Sequence, residues 1–228
     1  MTISEPMLGF DLDPCLMAVD PSMIQCGVAF AQLTNPLENF ILGGGTINPD
    51  TKASDADRIA FVGAELHHVI RTWNVQRILV EMPTSMYVKR GRSLDALKVL
   101  LVLGGVYAVA GAMQIPVHGM TVNQWKGGGS QYKEHSRTLA AALWPNERID
   151  TDDEAEARLL ALAFVQPDEV RGAIGLMKMN APVDRAVGVI KREWPFGPRE
   201  LARIQDGLKD NRLRGVAGSR KGKRRPNG

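Results

Sequence analysis

The chain has 228 residues, of which 44% are hydrophobic and 23% are charged, and this composition suits one globular domain with an appendage. Its longest apolar run, residues 99–113, is shorter than the ~20 residues that a membrane-spanning helix needs, so we expect no transmembrane segment. Cys15 and Cys26 form no C-x-x-C or Cys/His cluster, and the N-terminus carries no signal-peptide pattern. We therefore expect a cytoplasmic protein with reduced thiols.

The positive charge is concentrated near the C-terminus. Residues 178–228 contain 14 Lys and Arg against 5 Asp and Glu, although the whole chain has a net charge of only +3. An acidic body with a basic C-terminal arm indicates a polyanionic partner such as a nucleic acid, although a solubilising tail would look similar. We divide the chain into a main domain over 14–166, a helical basic extension over 167–214 and a disordered basic tail over 215–228.

The predicted elements begin with three strands. Buried-strand patterns cover 15–20, 26–33 and 39–48, and their short connections predict an antiparallel meander. A helix over 54–73 follows, beginning with a Ser-x-x-Asp pattern that resembles a capping box. A short strand over 77–81 then ends at a proline.

Helices and one further strand alternate along the rest of the domain. The predicted elements are a helix over 93–113, a strand over 116–121 and helices over 134–143 and 152–165. Strands that alternate with helices in this way predict an α/β fold, with a mixed central sheet flanked by helices.

The last of these helices begins with a cluster of carboxylates. At about 100° per residue, Asp153 and Glu156 lie about 60° apart, on the face that continues with apolar residues, whereas Glu154 points away. No Lys or Arg on the helix could pair with them from that face, and a divalent cation is a candidate to neutralise them. The structural alternative is that these acids only complement the helix dipole, with Thr151 or Asp152 as the N-cap.

Two further carboxylates end predicted strands. Asp20 ends the first strand and Glu81 ends the fourth, and neighbouring parallel strands would bring both to one edge of the sheet. A helix across that edge could add Asp153 and Glu156. Two divalent ions ~3.5–4 Å apart among four carboxylates are the arrangement used for phosphodiester hydrolysis. Oxygen ligands without a Cys/His set favour Mg²⁺ or Mn²⁺ over Zn²⁺.

These segments carry a family resemblance. The stretches "LMAVDPSMIQCGVAF", "ILVEMP", "SLDALKVLLVLGGVYAVA" and "DEAEARLLALA" resemble successive motifs of the RuvC Holliday junction resolvases, particularly phage-encoded relatives, over residues 14–166. The resemblance implies an RNase H-like fold and a homodimer that nicks four-way DNA junctions in pairs, using two Mg²⁺ for which Mn²⁺ could substitute. The four acidic ligands carried over are Asp20, Glu81, Asp153 and Glu156.

The sequence departs from the family pattern at two of these motifs. Glu156 stands where the bacterial family has Asp, which leaves Asp152 as an alternative metal ligand, and Asp-Pro-Ser replaces Asp-Pro-Gly after the first strand.

DNA contacts are expected from two polar segments. The loop after Glu81 offers Tyr87 for base stacking at the crossover, with three basic residues for phosphates: Lys89, Arg90 and Arg92. The glycine-rich segment 122–137 offers Lys126 and Lys133 as phosphate contacts, and it is not a Walker A loop, so we expect no nucleotide cofactor. A solvated basic loop and a flexible connection are the respective alternatives.

The resemblance also suggests the surface used for dimerisation. The helix 93–113 corresponds to the family's dimer interface, and its small residues would let two copies approach closely: Gly104, Gly105, Ala108 and Gly111. Ordinary packing on the sheet is the alternative.

Two other functions remain compatible with the sequence. An RNase H-like ribonuclease would need the same carboxylates, and a catalytically silent nucleic-acid-binding protein could keep the fold. The filled carboxylate positions argue against the silent protein.

Overall fold

A six-stranded mixed sheet organises the domain. The computed structural model describes residues 2–3, 15–32, 35, 37, 40–83, 93–127 and 133–192, with side chains except at 2–3 and 93–96. The strands are β1 (Thr2–Ile3), β2 (Cys15–Asp20), β3 (Cys26–Ala31), β4 (Ile41–Ile47), β5 (Val75–Met82) and β6 (Val117–Thr121). Their order across the sheet is β1-β4-β3-β2-β5-β6.

The pairing directions confirm the predicted mixture of strands. The strands β2, β3 and β4 form the antiparallel meander, while β5 runs parallel to both β2 and β6. Every residue of β2 and β3 is buried, as expected for central strands covered on both faces.

Helices cover both faces of the sheet. They are α1 (Asp55–Thr72), α2 (Ser93–Ala112), α3 (Val122–Trp125), α4 (Lys133–Leu143), α5 (Asp152–Ala163), α6 (Pro167–Lys178) and α7 (Val183–Arg192). The α1 helix begins as predicted, since the Ser54 side chain accepts a hydrogen bond from the Asp57 backbone N–H at 3.2 Å. The main apolar core joins α1 and α2 to the sheet, and Phe30 stacks on Trp73 within it at 4.4 Å between ring centroids.

The acidic helix α5 lies against β2, β3 and β4, and every residue from Glu154 to Ala163 is buried. It is therefore enclosed on all sides, so its periodicity could not identify a single inward face. This burial places the carboxylates of its first turns against the sheet.

Three elements were not predicted as separate elements: β1, α3 and α6. The two residues of β1 and the single turn of α3 carry too little periodicity to be read from sequence. The 12-residue helix α6 falls in the segment that the sequence predicts only as a helical extension. The helices α6 and α7 lie within the predicted extension 167–214 and within one compact unit, Met1–Pro195. The remainder of the extension and the predicted tail lie outside the described residues.

Among the helices that the structure describes, none combines the length and apolarity needed to cross a bilayer.

Candidate metal centre

Two carboxylates meet at the carboxyl edge of the central strands. The strands β2 and β5 are parallel neighbours, and Val19 pairs with Val80 in their register. The next residues are Asp20 and Glu81, so both side chains reach the same edge, as the sequence predicted.

A glycine brings α5 close to this edge. Gly27 on β3 pairs with Asp20 across the sheet, and a Cβ built on Gly27 would overlap the backbone carbonyl of Asp153. Any side chain at this position would therefore displace the first turn of α5. The close approach lets Glu156, one turn further along, reach the two strand-end carboxylates.

The three carboxylates form one cluster. Oxygen atoms of Asp20, Glu81 and Glu156 all lie within 4.8 Å of one another. Asp20 is 8% exposed and Glu156 is 3% exposed, so the cluster lies at the bottom of the site rather than on an open surface. The structure thus brings together three of the four predicted ligands.

A lysine enters this cluster from the segment after β6. The Nζ atom of Lys126 lies 2.5 Å from Glu156 Oε1, 3.7 Å from Glu81 Oε2 and 4.4 Å from the centroid of the Trp125 ring. The Lys126 side chain is itself buried. The sequence predicts Lys126 as a phosphate contact, whereas in this structure its ammonium group contacts the carboxylates.

Two neutral side chains orient the glutamates. Trp125 Nε1 donates a hydrogen bond to Glu81 Oε2 at 3.1 Å, and Ser136 Oγ donates to Glu156 Oε1 at 3.3 Å. Sequence reasoning assigned no role to Trp125, Ser136 or Gly27. Of these three, only Trp125 has a signal in the sequence, because it directly precedes Lys126, a predicted phosphate contact.

The fourth predicted ligand lies beside the cluster. Asp153 Oδ1 forms an ion pair with Lys133 Nζ, and Asp153 is not among the three residues whose oxygens converge within 4.8 Å. Asp152 pairs with Arg137 at 3.8 Å, and its side chain is 39% exposed against 14% for Asp153. Of these two aspartates, Asp153 is therefore the one held closer to the buried site.

Glu154 lies on a different side of α5 from the cluster, as the helical spacing predicted, but that side is also buried. Its Oε1 pairs with Arg158 Nη2 at 2.8 Å, and both side chains are buried. Gly44 on β4 provides the space, because a Cβ there would lie 3.3 Å from Arg158 Nε and 3.4 Å from Glu154 Oε1. This pair serves the packing of α5 on the sheet.

Burial dominates the electrostatics of the cluster. It raises the pKa of Asp20 well above its ordinary value, and the neighbouring charges of Glu81 and Glu156 raise it further. Burial also raises the pKa of Glu81, although the positive charge of Lys126 acts to lower it. Burial opposes the charged form of Lys126, but Glu81, Glu156 and Asp20 outweigh that effect and raise the pKa of its ammonium group.

These residues fit a divalent cation. Asp20, Glu81, Glu156 and the adjacent Asp153 outnumber their two ammonium partners, which leaves excess negative charge at a buried place. Carboxylate oxygens are the ligands preferred by hard ions such as Mg²⁺ and Mn²⁺. Among the described residues, no ion pair or side-chain hydrogen bond reaches Asp20, so a cation would give this carboxylate a direct partner.

The remaining predicted DNA contacts fall in residues 84–92: Tyr87, Lys89, Arg90 and Arg92. This segment lies outside the described residues.

The sequence matches no protein-family model and no curated protein. The structure does resemble solved proteins. T. thermophilus RuvC in complex with a Holliday junction substrate matches with a TM-score of 0.55 and 18% identity, over 69% of this chain and 98% of that chain. A second Thermus thermophilus RuvC structure matches with a TM-score of 0.50 and 16% identity, over 73% of this chain and 97% of the other. The mixed sheet and its flanking helices therefore form a RuvC-like fold of the RNase H-like class.

Proposed function

We propose that this protein is a metal-dependent endonuclease that cleaves Holliday junctions and related branched DNA by paired nicks. The observation that carries the proposal is the convergence of Asp20, Glu81 and Glu156 to within 4.8 Å on a RuvC-like fold. The similar T. thermophilus protein was solved with a Holliday junction substrate, which supports branched DNA as the substrate class here. The closer likeness to phage-encoded relatives stays a prediction from the motifs.

In this mechanism the carboxylates would hold two Mg²⁺ ions, for which Mn²⁺ could substitute. Asp20, Glu81 and Glu156 supply the converging oxygens, with Asp153 as the fourth ligand beside them. Bound ions of this kind lower the pKa of a water molecule and stabilise the departing 3′ oxygen of a phosphodiester. Lys133, whose side chain is about half exposed beside Asp153, is the phosphate contact in this proposal, whereas Lys126 stays among the carboxylates.

DNA binding outside the metal centre involves segments that the sequence identified. Tyr87 stacks on a base at the crossover, and Lys89, Arg90 and Arg92 bind phosphates in this proposal. The basic residues after 178 also attract the phosphates of the DNA backbone, whatever the base sequence of the DNA.

A homodimer would place two such sites on one junction. One face of α2 packs on the core through four buried residues: Val102, Leu103, Val106 and Ala110. Its opposite face exposes Leu97, Leu100, Leu101 and Tyr107 at helical spacing. Gly104 and Gly111 on this exposed face have open space where a Cβ would stand, which would let a second α2 helix approach closely.

The test is cleavage of synthetic four-way DNA junctions by the wild type and by Asp20→Asn in Mg²⁺. We expect paired nicks from the wild type, and from Asp20→Asn no cleavage with junction binding retained. Asp184→Asn, which changes an exposed acid on α7, is the matched control and should cleave normally. Loss of binding in Asp20→Asn, with normal cleavage of whatever DNA is bound, would overturn the assignment.

The same assay separates the alternatives. Flaps, RNA–DNA hybrids and duplex RNA are incubated in parallel with the junctions. Cleavage of hybrids or RNA in preference to junctions would identify an RNase H-like ribonuclease. Junction binding without cleavage in either Mg²⁺ or Mn²⁺ would identify a catalytically silent binding protein.

A further inference from the structure

The segment that carries Lys126 has little structure of its own. The helix α3 is a single turn of four residues, and one turn is too short to be stable by itself. At its start the Thr121 backbone N–H donates to the Gln124 side chain at 2.7 Å. At its end the Lys126 N–H donates to the Val122 carbonyl at 2.8 Å, and Gly127 has a positive φ of 68°.

Two cations from α6 hold the C-terminal end of this turn. Lys178 Nζ donates a hydrogen bond to the Lys126 carbonyl at 2.9 Å, and Arg171 Nη1 makes a longer one, at 3.4 Å, to the Gln124 carbonyl. Carbonyls at the end of a helical turn lack intrahelical partners, and basic side chains satisfy them. Arg171 and Lys178 are seven residues apart and therefore lie on the same face of α6.

These contacts fix the backbone from which the Lys126 side chain extends. The Arg171 Cγ lies 3.4 Å from the position a Cβ would take on Gly127, so the packing is close as well as polar. The hydrogen bond to the Lys126 carbonyl also brings the Lys178 ammonium group near the charge of Lys126. Burial and this charge hold the pKa of Lys178 below its usual value. The hydrogen bond therefore forms in spite of repulsion between the two ammonium groups, and it holds the Lys126 backbone in place.

We infer that Lys178 and Arg171 are positioning residues, which hold the turn 122–127 so that the Lys126 ammonium group stays among Glu81 and Glu156. The helical extension, which lies beyond the segment of motif resemblance, thereby acts on the metal centre through Lys126. The catalytic consequence of this positioning rests on the nuclease function proposed above, whereas the positioning itself does not.

The test measures how accessible the Lys126 amine is to acylation. Full-length wild type and variants are treated briefly with an amine-acetylating reagent, and acetylation at each lysine is quantified by mass spectrometry. In Lys178→Met we expect Lys126 to be acetylated about tenfold faster than in the wild type, because the turn opens more often. Lys178→Arg, which can donate to the same carbonyl, should restore slow acetylation.

Controls separate positioning from general stability. Lys191→Met removes an exposed charge from α7 and should leave both the Lys126 rate and the melting temperature unchanged. Arg171→Met removes the second donor and should raise the Lys126 rate by a smaller factor, so it decides the matter if Lys178→Met does not fold. Unchanged Lys126 acetylation in the folded variants would overturn the inference.

Junction cleavage keeps this result distinct from that of the proposed function. We expect Lys178→Met to lower kcat for a four-way junction with little change in KM. A wild type that cleaves no nucleic acid, but whose Lys126 acetylation depends on Lys178, would reject the nuclease proposal and retain the positioning role. A wild type that cleaves junctions, together with unchanged Lys126 acetylation in Lys178→Met, would retain the nuclease proposal and reject the positioning role.

Discussion

At the scale of one residue, Asp20 is a buried carboxylate whose ionisation affects the stability of the fold. Its folded pKa lies above the ordinary value because of burial first and of Glu81 and Glu156 second. A carboxyl with a raised folded pKa stabilises the fold in its protonated form, below its unfolded pKa of about 4, and loses that contribution as pH rises through the folded pKa. Without metal, the contribution of Asp20 to the stability of the fold therefore weakens as pH rises.

We predict that Asp20→Asn is more stable than the wild type in EDTA. The expected gain in the free energy of unfolding at pH 7.5 is about 1–3 kcal/mol, and it should shrink towards pH 4 as the wild-type carboxyl becomes protonated. Denaturant unfolding at both pH values measures it, with Asp184→Asn as the exposed control. A destabilised Asp20→Asn variant at pH 7.5 would show that the ionised carboxylate has a favourable partner.

The two cysteines should be inert in the folded protein. Cys15 and Cys26 are free and buried as the sequence predicted, and burial raises the pKa of each thiol to about 12. Because the thiolate is the reactive form, we expect no reaction with a thiol-labelling reagent at pH 8 without denaturant, and two reactive thiols after unfolding. Rapid labelling of either cysteine in the native protein would contradict its burial.

Individual residues differ in how far the sequence predicted them. Asp20 and Glu81 could be found because each ends a recognisable strand, and Glu156 because its spacing places it on the face shared with Asp153. The position of Lys126 could not be found in this way. Lysine before a run of glycines suits a phosphate contact, and only the tertiary fold brings its ammonium group to Glu81 and Glu156.

At the scale of elements, the site depends on how closely α5 approaches β3. We predict that Gly27→Ala destabilises the protein by about 1–3 kcal/mol or more, because the added methyl group overlaps the Asp153 carbonyl and displaces the helix. It should also weaken Mn²⁺ binding, since Glu156 moves with α5. Thermal unfolding and calorimetric titration with Mn²⁺ measure the two effects.

A matched glycine provides the control for this variant. Apart from the backbone of α6 itself and the neighbouring residues, no atom lies within 4 Å of a Cβ added to Gly175, so Gly175→Ala should leave Mn²⁺ binding unchanged. It should be neutral or stabilise the protein by up to about 1 kcal/mol, because alanine favours the helix. Equal effects of the two substitutions would show that close packing at Gly27 is unimportant.

The exposed face of α2 predicts the oligomeric state. We expect the wild type to have a mass of about twice 24.9 kDa, and Leu101→Glu to be monomeric because the new charge would be buried in the interface. Met179→Glu, on an exposed apolar side chain at the end of α6, should stay dimeric. Light scattering coupled to size-exclusion chromatography measures the masses, and a monomeric wild type at micromolar concentration would contradict the dimer.

At the scale of the whole molecule, the alternation of strands and helices was enough to predict the mixed sheet. Its antiparallel meander and its parallel pair follow the predicted order. What the sequence could not supply is the environment of α5, because a helix buried on every side has no polar face to mark its orientation. The short turn α3 and its contacts with α6 also depend on residues distant in the chain, which local patterns do not encode.

The proposed function depends on one property of the folded chain, the binding of divalent ions by its acidic cluster. Diffraction data from crystals soaked in Mn²⁺, collected at a wavelength where manganese scatters anomalously, test this most directly. We predict anomalous peaks bounded by the carboxylates of Asp20, Glu81 and Glu156. Saturating Mn²⁺ that leaves no anomalous peak at these carboxylates would contradict the proposed function.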